Sequence, residues 1–286
     1  MILLDTNQTM IATLFSLFSK EELEDITESD VRRATLLGIS RFNNQFKDKY
    51  GDLILCYDIG KYWRKEVFPE YKANRKKQQK KDNIDWGRIY GYFNTVREEI
   101  KQIFPWKSMF MLGVEADDII SVLVENFYDK DDILIVSSDK DFQQLQKFPN
   151  VEQYSPNKKK MIKCDDPEGF LIEHMVKGDV SDGIPNVLSD NDAITNPDKK
   201  QTIMTKKRIK EATGHYVLGK IDFDAEGVKY VDNWIRNKTM IDMDSIPQEY
   251  KDRILDLWTE PKEGDSSKVF NYMVDKKLGE MIDIMI

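Results

Sequence analysis

The chain has 286 residues, of which 40% are hydrophobic and 11% aromatic, so it can bury a sizeable core and is not a disordered chain. It has two histidines and two cysteines, which nearly excludes Cys/His zinc sites and histidine-based catalysis, and its formal charge of −8 does not by itself suggest a nucleic-acid-binding protein. No segment is long and apolar enough for a membrane span and the N-terminus has no signal-peptide pattern, so we expect a cytoplasmic protein.

Four short apolar runs predict buried strands, and segments with apolar residues at helical spacing separate them. The runs are ILLD (2–5), DLILCYD (52–58), SMFMLG (108–113) and DILIVSSD (132–139). This alternation predicts an α/β fold in which helices cover both faces of a central, mainly parallel sheet. After about residue 185 the strand signals stop and helical patterns follow. We therefore predict an α/β domain over 1–185 and a smaller helical domain over 186–286.

Charge is unevenly distributed along the chain. Residues 61–81 contain nine Lys or Arg and two Glu, a local charge of +7 that leaves −15 for the rest. Aromatic residues interleave with these cations, and this mixture is the chemistry of phosphate contact with base stacking. The segment 199–210 adds six Lys or Arg without an acid. A solvated surface explains a lysine cluster about equally well, but the aromatic residues favour nucleic acid for the first segment.

Acidic residues follow the predicted strands at the point where each strand ends. The carboxyl ends of parallel strands lie at one edge of a sheet, so acids far apart in sequence converge there. The set is Asp5, Asp58, Glu115, Asp117, Asp139 and Asp141, with Asp179 and Asp182 after a later helical segment. An isolated Asp of this kind is more often a helix N-cap. Capping alone, however, does not explain acids at four strand ends.

Carboxylates gathered in this way point to metal ions. They cannot all ionise without cations, because each one raises the pKa of the next. Hard divalent ions relieve this repulsion, and Mg²⁺ or Mn²⁺ suits a site made of carboxylate oxygens. Two such ions about 4 Å apart stabilise the attacking and leaving oxygens of a phosphodiester. Acids for metals, together with a basic and aromatic segment for a nucleic-acid strand, indicate a nuclease.

The stretch VEADD (114–118) holds three acids in four positions. Successive helical residues turn by about 100°, so three helical acids could not point at one ion. Glu115 and Asp117 can face the same side if both lie in extended backbone. Asp118 would then open the following helix, where the helix dipole favours its charge. Glu115 and Asp117 are therefore the better metal-ligand candidates, and Asp118 the weaker one.

Several motifs in the same order resemble the 5′-nuclease, or flap endonuclease, family, and their wording is nearest to its phage ribonuclease H branch. The motifs are YKANR (71–75), VEADD (114–118), SSDKDF (137–142) and GDVSDGIP (178–185). The resemblance covers residues 1 to about 185, and more loosely the remainder. It implies a phosphodiesterase that is a divalent-metal-dependent 5′ to 3′ exonuclease and flap endonuclease, acting on RNA primers in RNA–DNA hybrids and on DNA 5′ ends during phage DNA replication.

The resemblance also implies roles for individual residues, with two Mg²⁺ ions that Mn²⁺ can replace. Lys72 and Arg75 match the catalytic cations of a helical arch over about 60–84. The first metal site is implied to use Asp5, Asp58, Glu115, Asp117 and Asp139. The second is implied to use Asp141, Asp179 and Asp182, and Asp118 matches an acid of phage and bacterial members. Nucleic-acid contacts are expected from Arg64, Tyr71, Lys72, Arg75, Lys76, Lys77, Lys206, Lys207 and Arg208.

One part of the chain departs from the family pattern. Many family members continue beyond the GDVSDGIP motif with a glycine-rich helix–hairpin–helix that grips duplex backbone and often binds potassium. Residues 188–201, LSDNDAITNPDKKQ, lack its G-x-G pattern. We therefore do not expect a potassium site, and we expect the basic segment 199–210 to hold the duplex in another way.

Two other functions stay open. A PIN-type endoribonuclease shares the acid-lined parallel sheet, but such domains are shorter and lack the basic arm. A replication accessory that binds forks without cutting would use its acids only as solvated surface. The partners we expect are DNA and RNA–DNA duplexes with 5′ ends, forks or flaps, and the resemblance adds a single-stranded DNA-binding protein and a sliding clamp. We expect a monomer that does not bind membranes.

Overall fold

The structure is a computed structural model, and it describes residues 1–75, 84–217 and 227–285. Its contacts divide the chain into two compact units, each assembled from separate stretches. The first, here the sheet unit, comprises Met1–Gly60, Asn83–Lys163 and Glu249–Ile286. The second, here the helical unit, comprises Lys61–Asp82 and Cys164–Gln248.

A six-stranded sheet forms the centre of the sheet unit. Its strands lie in the order β3-β2-β1-β4-β5-β6, and all neighbours are parallel except β6, which pairs antiparallel with β5. The strands are β1 (Ile2–Asp5), β2 (Leu53–Cys56), β3 (Lys107–Met109), β4 (Ile133–Val136), β5 (Val151–Ser155) and β6 (Lys160–Ile162). The four predicted strands and the mainly parallel sheet are confirmed. β5 and β6 were not among the predicted strands.

Helices make up most of the remaining regular structure. In chain order they are α1 (Thr6–Leu17), α2 (Lys20–Glu24), α3 (Glu28–Tyr50), α4 (Trp63–Val67), α5 (Trp86–Ile103), α6 (Ala116–Phe127), α7 (Pro167–Lys177), α8 (Lys206–Val217), α9 (Gly227–Ile241), α10 (Gln248–Thr259), α11 (Ser266–Asp275) and α12 (Ile282–Met285). Three 3₁₀ helices span Lys140–Lys147, Met243–Ser245 and Gly279–Met281. Within the described ranges, no helix has the length and apolar character that crossing a membrane requires.

The central strand β1 is covered on both faces. Ile2, Leu3 and Leu4 are inaccessible to solvent, and successive strand residues point to opposite faces of a sheet. Ile2 and Leu4 belong to one hydrophobic cluster with Leu36 of α3 and Val96 of α5. Burying an aliphatic side chain of this size contributes about 1.5–3 kcal/mol. The buried β1 therefore holds its last residue, Asp5, in a rigid setting.

The last helices pack in the sheet unit rather than in the helical unit. Met273 of α11 lies in the same hydrophobic cluster as the sheet. The Tyr272 hydroxyl donates to the Glu99 carboxylate at 2.7 Å, and Glu99 also pairs with Arg32 and Lys276 at 2.7 Å each. The compact units therefore do not divide at residue 185, because this packing joins the C-terminal residues to the sheet. The predicted boundary, which follows the change in sequence character, stays a prediction.

In the helical unit, α7 contacts both α8 and α9. Side-chain amides of α9 hold the loop that follows α7. The Asn237 amide, which is wholly buried, donates to the carbonyls of Met175 and Pro185 at 2.6 and 3.0 Å. The Asn233 amide donates to the Val187 carbonyl at 2.9 Å. These bonds satisfy backbone groups that would be costly to bury alone, and they fix the chain just after the GDVSDGIP motif.

Candidate active site

Three predicted metal acids of the sheet unit gather around one buried thiol. Asp5, the last residue of β1, lies in register with Cys56, the last residue of β2. The pKa of the Cys56 thiol is raised well above its usual value, first by complete burial and then by the negative charges of Asp5, Asp117 and Asp58. Charges have this effect only at short range. The structure thus brings these acids together at the carboxyl edge of the sheet, as the strand order predicts.

A serine hydroxyl links the acids of two neighbouring strands. Asp5 caps α1, and its Oδ1 accepts from the Gln8 N–H at 3.2 Å. Its Oδ2 accepts from the Ser137 hydroxyl at 2.9 Å, and the same hydroxyl accepts from the Asp139 N–H at 3.1 Å. Asp139 in turn caps the following 3₁₀ helix by accepting from the Asp141 N–H at 3.0 Å. Asp5 and Asp139 are therefore helix caps and also lie close together, because the capping hydrogen bonds orient their carboxylates.

Asp58 follows β2, but its carboxylate lies at the start of α6. Its Oδ1 accepts from the N–H of Ala116, the first residue of α6, at 2.6 Å. The partial positive charge of a helix N-terminus favours a carboxylate there. The Asp58 N–H donates to Asn7 Oδ1 at 3.2 Å, and the Asn7 amide donates to the Asp58 carbonyl at 3.0 Å. These bonds connect the ends of β1 and β2 with the start of α6.

The VEADD stretch forms the beginning of α6. Glu115 has extended backbone, with φ −99° and ψ 164°, and is the N-cap. The helix starts at Ala116, so the expectation of extended backbone is wrong for Asp117, because only the cap residue needs to be extended. Asp118 lies in the first turn as predicted, and its carboxylate accepts from the Glu115 N–H at 2.9 Å.

The acids of the sheet edge fit a hard divalent cation. Glu115 is 1% exposed, Asp118 is fully buried and Asp5 is 7% exposed. An ionised carboxylate is costly to bury unless it is hydrogen-bonded, paired or bound to a metal. Oxygen donors are the ligands that Mg²⁺ and Mn²⁺ prefer.

In the helical unit, one acid contacts the predicted arch. Arg75 Nη2 lies 2.5 Å from Asp182 Oδ1, while the Tyr71 hydroxyl donates to Oδ2 at 3.1 Å. Lys72, which is 9% exposed, places its Nζ 3.6 Å from the same Oδ2. The Lys72 N–H also donates to the Asp182 carbonyl at 2.7 Å. At Gly183 (φ +75°), a Cβ would lie 2.8 Å from the Glu70 carbonyl oxygen, so only glycine allows this approach.

Asp179 is the other acid of the GDVSDGIP motif and is nearly buried. Its Oδ1 accepts from the N–H groups of Ser181 and Asp182 at 2.8 and 3.2 Å, and from the Ser181 hydroxyl. His174 Nε2 lies 3.5 Å from Asp179 Oδ2, and its ring packs on Phe170. The chain has only two histidines, and this one contacts a predicted metal acid. The sequence around His174 does not predict its contact with Asp179.

The remaining predicted nucleic-acid residues differ in exposure. Arg64 is 4% exposed, donates to the Met240 carbonyl at 3.1 Å and lies over the Trp63 ring at 4.5 Å. Such a setting holds Arg64 inside the helical unit, and its nucleic-acid role stays a prediction. The predicted contacts Lys206, Lys207 and Arg208 are exposed at the start of α8. Lys76 and Lys77 lie outside the described residues.

Two glutamines beside the acids were not among the predicted site residues. The buried Gln153 of β5 donates to the carbonyls of Ser137 and Asp139 at 3.0 and 2.6 Å. Gln8 Oε1 accepts from the Ser138 N–H at 2.5 Å. The available signal was the polar Gln153 inside the run VEQYS, but that run was not predicted to be a strand, so its inward position could not be inferred.

Comparison with known proteins identifies the relatives of this site. Residues 1–173 match the family model described as 5′-3′ exonuclease, N-terminal resolvase-like domain, and residues 166–286 match the one described as T4 RNase H, C terminal. The chain is 31% identical to the Ribonuclease H of Enterobacteria phage T4, covering 98% of this chain and 92% of that protein. It is also 31% identical to a 5′-3′ exonuclease of Buchnera aphidicola, over 47% of each chain.

Solved structures share the fold. A phage T5 flap endonuclease in a complex with DNA and metal ions has a TM-score of 0.66 and 18% identity, covering 91% of this chain and 99% of that one. A phage T5 protein co-crystallised with metal ions has a TM-score of 0.65 and 18% identity, covering 90% and 98%. The predicted resemblance is confirmed. The chain therefore belongs to the 5′-3′ exonuclease family, and it is a nuclease that hydrolyses phosphodiester bonds.

Proposed function

We propose that this nuclease is a Mg²⁺-dependent 5′ to 3′ exonuclease and flap endonuclease that acts on RNA primers in RNA–DNA hybrids and on DNA 5′ ends. The observation that carries the proposal is the convergence of Asp5, Asp58 and Asp117 around the Cys56 thiol, with Ser137 bonded to both Asp5 and Asp139. Its relatives by name are a ribonuclease H and 5′-3′ exonucleases, which supports both classes of substrate.

Carboxylates at the sheet edge would hold the first ion. This set is Asp5, Asp58, Glu115, Asp117 and Asp139. When bound, Mg²⁺ supplies Lewis-acid stabilisation of phosphate oxygens and lowers the pKa of a coordinated water. Hydrogen bonds from backbone N–H groups and from the Ser137 hydroxyl orient Asp5, Asp58 and Asp139 of this set. The assignment of Asp141, Asp179 and Asp182 to a second ion, with Asp118 in an outer position, stays a prediction from the resemblance.

Lys72 and Arg75 are the proposed contacts to the reacting phosphate. Cationic hydrogen-bond donors aimed at a phosphate stabilise the charge that develops in the transition state. Both residues are held close to each other by Asp182, so the arch presents its cations as a group. The basic residues of α8 are proposed to contact the duplex backbone.

The proposed binding partners are DNA and RNA–DNA duplexes with 5′ ends, forks or flaps, and a phage T5 neighbour solved with DNA supports this class. The single-stranded DNA-binding protein and the sliding clamp implied by the resemblance stay predictions.

The test uses three 5′-labelled substrates: a nicked duplex, a flapped duplex and an RNA-primed duplex. We expect release of short labelled products in Mg²⁺ and none in EDTA. Efficient cutting of single-stranded RNA without any need for a free 5′ end would favour a PIN-type endoribonuclease instead. Tight fork binding without metal-dependent release would favour the replication accessory.

A further inference from the structure

We propose that Ser137 and Gln153 are positioning residues that set the arrangement of Asp5 and Asp139 and thereby the affinity of the sheet edge for a divalent cation. This inference rests on the proposed function and adds to it two residues outside the acid set. Both are buried, at 0% and 1% exposure, and both belong to the sheet unit.

The donor and acceptor roles of the Ser137 hydroxyl follow from its one hydrogen and two lone pairs. A hydroxyl has one proton to donate and two lone pairs that accept. The Asp5 carboxylate can only accept when ionised, so the proton points to Asp5 Oδ2 at 2.9 Å, and a lone pair takes the Asp139 N–H at 3.1 Å. Gln8 Oε1 lies at 3.4 Å from the same hydroxyl, but the shorter bond to a charged acceptor is the stronger one. One oxygen atom thus fixes both acids.

Gln153 fixes the backbone that carries the second acid. Its Nε2 donates to the Ser137 carbonyl at 3.0 Å and to the Asp139 carbonyl at 2.6 Å, which accounts for both amide hydrogens. Since both partners are carbonyls, the amide nitrogen rather than the amide oxygen must face them. Between these two residues, the Ser138 N–H donates to Gln8 Oε1. Side chains from β5 and α1 therefore hold three consecutive residues after β4.

These hydrogen bonds matter because the affinity of a site for a metal ion depends on the positions of its ligands. Groups that hold metal ligands in position usually contribute about 10- to 100-fold to affinity, and a ligand set must be held to within about 0.5 Å to work well. Ser137 and Gln153 contribute neutral donors, so they orient the ligands without cancelling the charge that attracts the cation.

The test is Mn²⁺ binding measured by calorimetry and by the Mn²⁺ paramagnetic resonance spectrum, without substrate. We expect Ser137→Ala to weaken Mn²⁺ binding about 10- to 100-fold and to raise the Mg²⁺ concentration needed for half-maximal cleavage. Ser137→Thr keeps the hydroxyl and should bind Mn²⁺ nearly as the wild type does. The matched control is Ser40→Ala, which removes a buried serine hydroxyl bonded to the Leu36 carbonyl in α3.

Gln153→Met provides a second variant of similar volume. It should also weaken Mn²⁺ binding, and it tests the inference if Ser137→Ala does not fold. Wild-type Mn²⁺ affinity in either folded variant would overturn the inference. Failure of the proposed function looks different, because the wild type would then bind Mn²⁺ but release no product from 5′-labelled substrates.

Discussion

Asp5 and Asp58 of the sheet unit are held by a different kind of donor from Asp182 of the helical unit. In the sheet unit, Asp5 and Asp58 accept hydrogen bonds from backbone N–H groups and a serine hydroxyl. In the helical unit, Asp182 accepts from the Arg75 guanidinium and the Tyr71 hydroxyl and lies beside the Lys72 ammonium. Neutral donors orient a carboxylate and leave its charge in place, whereas cations compensate it. This difference supports the proposed metal site at the sheet edge, whereas cations of the predicted arch compensate the charge of Asp182.

The largest effect is expected from removing one acid of the sheet edge. Asp139→Asn should lower the cleavage rate at least about 100-fold. This loss should exceed the one caused by removing a residue that only hydrogen-bonds to a metal ligand. Binding of forked DNA should persist, and stability without metal should not fall, because a like charge leaves the cluster. Cleavage and DNA-binding assays check this beside Asp129→Asn, an exposed acid. Turnover like that of the wild type would remove Asp139 from the site.

Arch cations should matter more for the reaction than for binding. Lys72→Ala should reduce turnover by about 100-fold, because the lysine is expected to act on the charge that develops at the phosphate. Affinity for the flapped duplex should change much less. Single-turnover rates and equilibrium binding separate the two, with Lys130→Ala as an exposed control. Equal losses of rate and affinity would make Lys72 an ordinary phosphate contact.

The sheet unit also contains an acid that is held by cations, Glu99. Burial raises the pKa of Glu99, but hydrogen bonds from Arg32, Lys276 and Tyr272 outweigh it and lower the pKa to about 2. A lowered folded-state pKa means that the contribution to stability is complete above the unfolded value of about 4.3 and is lost as the pH falls towards 2.

Glu99→Gln should therefore lower the free energy of unfolding by about 2–3 kcal/mol at pH 7, because it disrupts a partly buried ion-pair network. The difference from the wild type should shrink below pH 4 and nearly vanish at pH 2. Denaturant unfolding across this pH range measures it, with the more exposed neighbour Glu98→Gln as control. A constant difference at all these pH values would contradict the assigned pairing.

Asp182→Asn should have a smaller effect on stability than Glu99→Gln. The substitution removes ion pairs to Lys72 and Arg75, and the Arg75 side chain is about half exposed. We therefore expect the free energy of unfolding to fall by about 1–2 kcal/mol. Asp5→Asn, which can still cap α1, should cost nothing in EDTA. Denaturant unfolding of both variants in EDTA compares the two regions directly. Equal losses of unfolding free energy would mean that Asp5 and Asp182 are held in the same way.

Local patterns were sufficient for four of the six strands of the sheet and for the acids that follow them. The apolar run before Asp5 predicted β1, and parallel topology then predicted its convergence with Asp58. By contrast, β5 mixes Glu152 and Gln153 with Val151 and Tyr154, so no apolar run marked it. The pairing of Asp182 with Arg75 depends on contacts between residues far apart in sequence. An acid in such a motif can bind a metal ion or pair with an Arg or Lys side chain, and the local sequence does not distinguish these two roles.

We propose that the sheet-edge acids hold the metal ion used for cleavage. The most direct test of this proposal is the rate of product release from a 5′-labelled flapped duplex, measured as a function of Mg²⁺ concentration for the wild type and for Asp5→Asn. We predict saturable, Mg²⁺-dependent cleavage by the wild type and no measurable cleavage by Asp5→Asn at any Mg²⁺ concentration. Cleavage that proceeds in EDTA, or an Asp5→Asn enzyme with the Mg²⁺ response of the wild type, would contradict it.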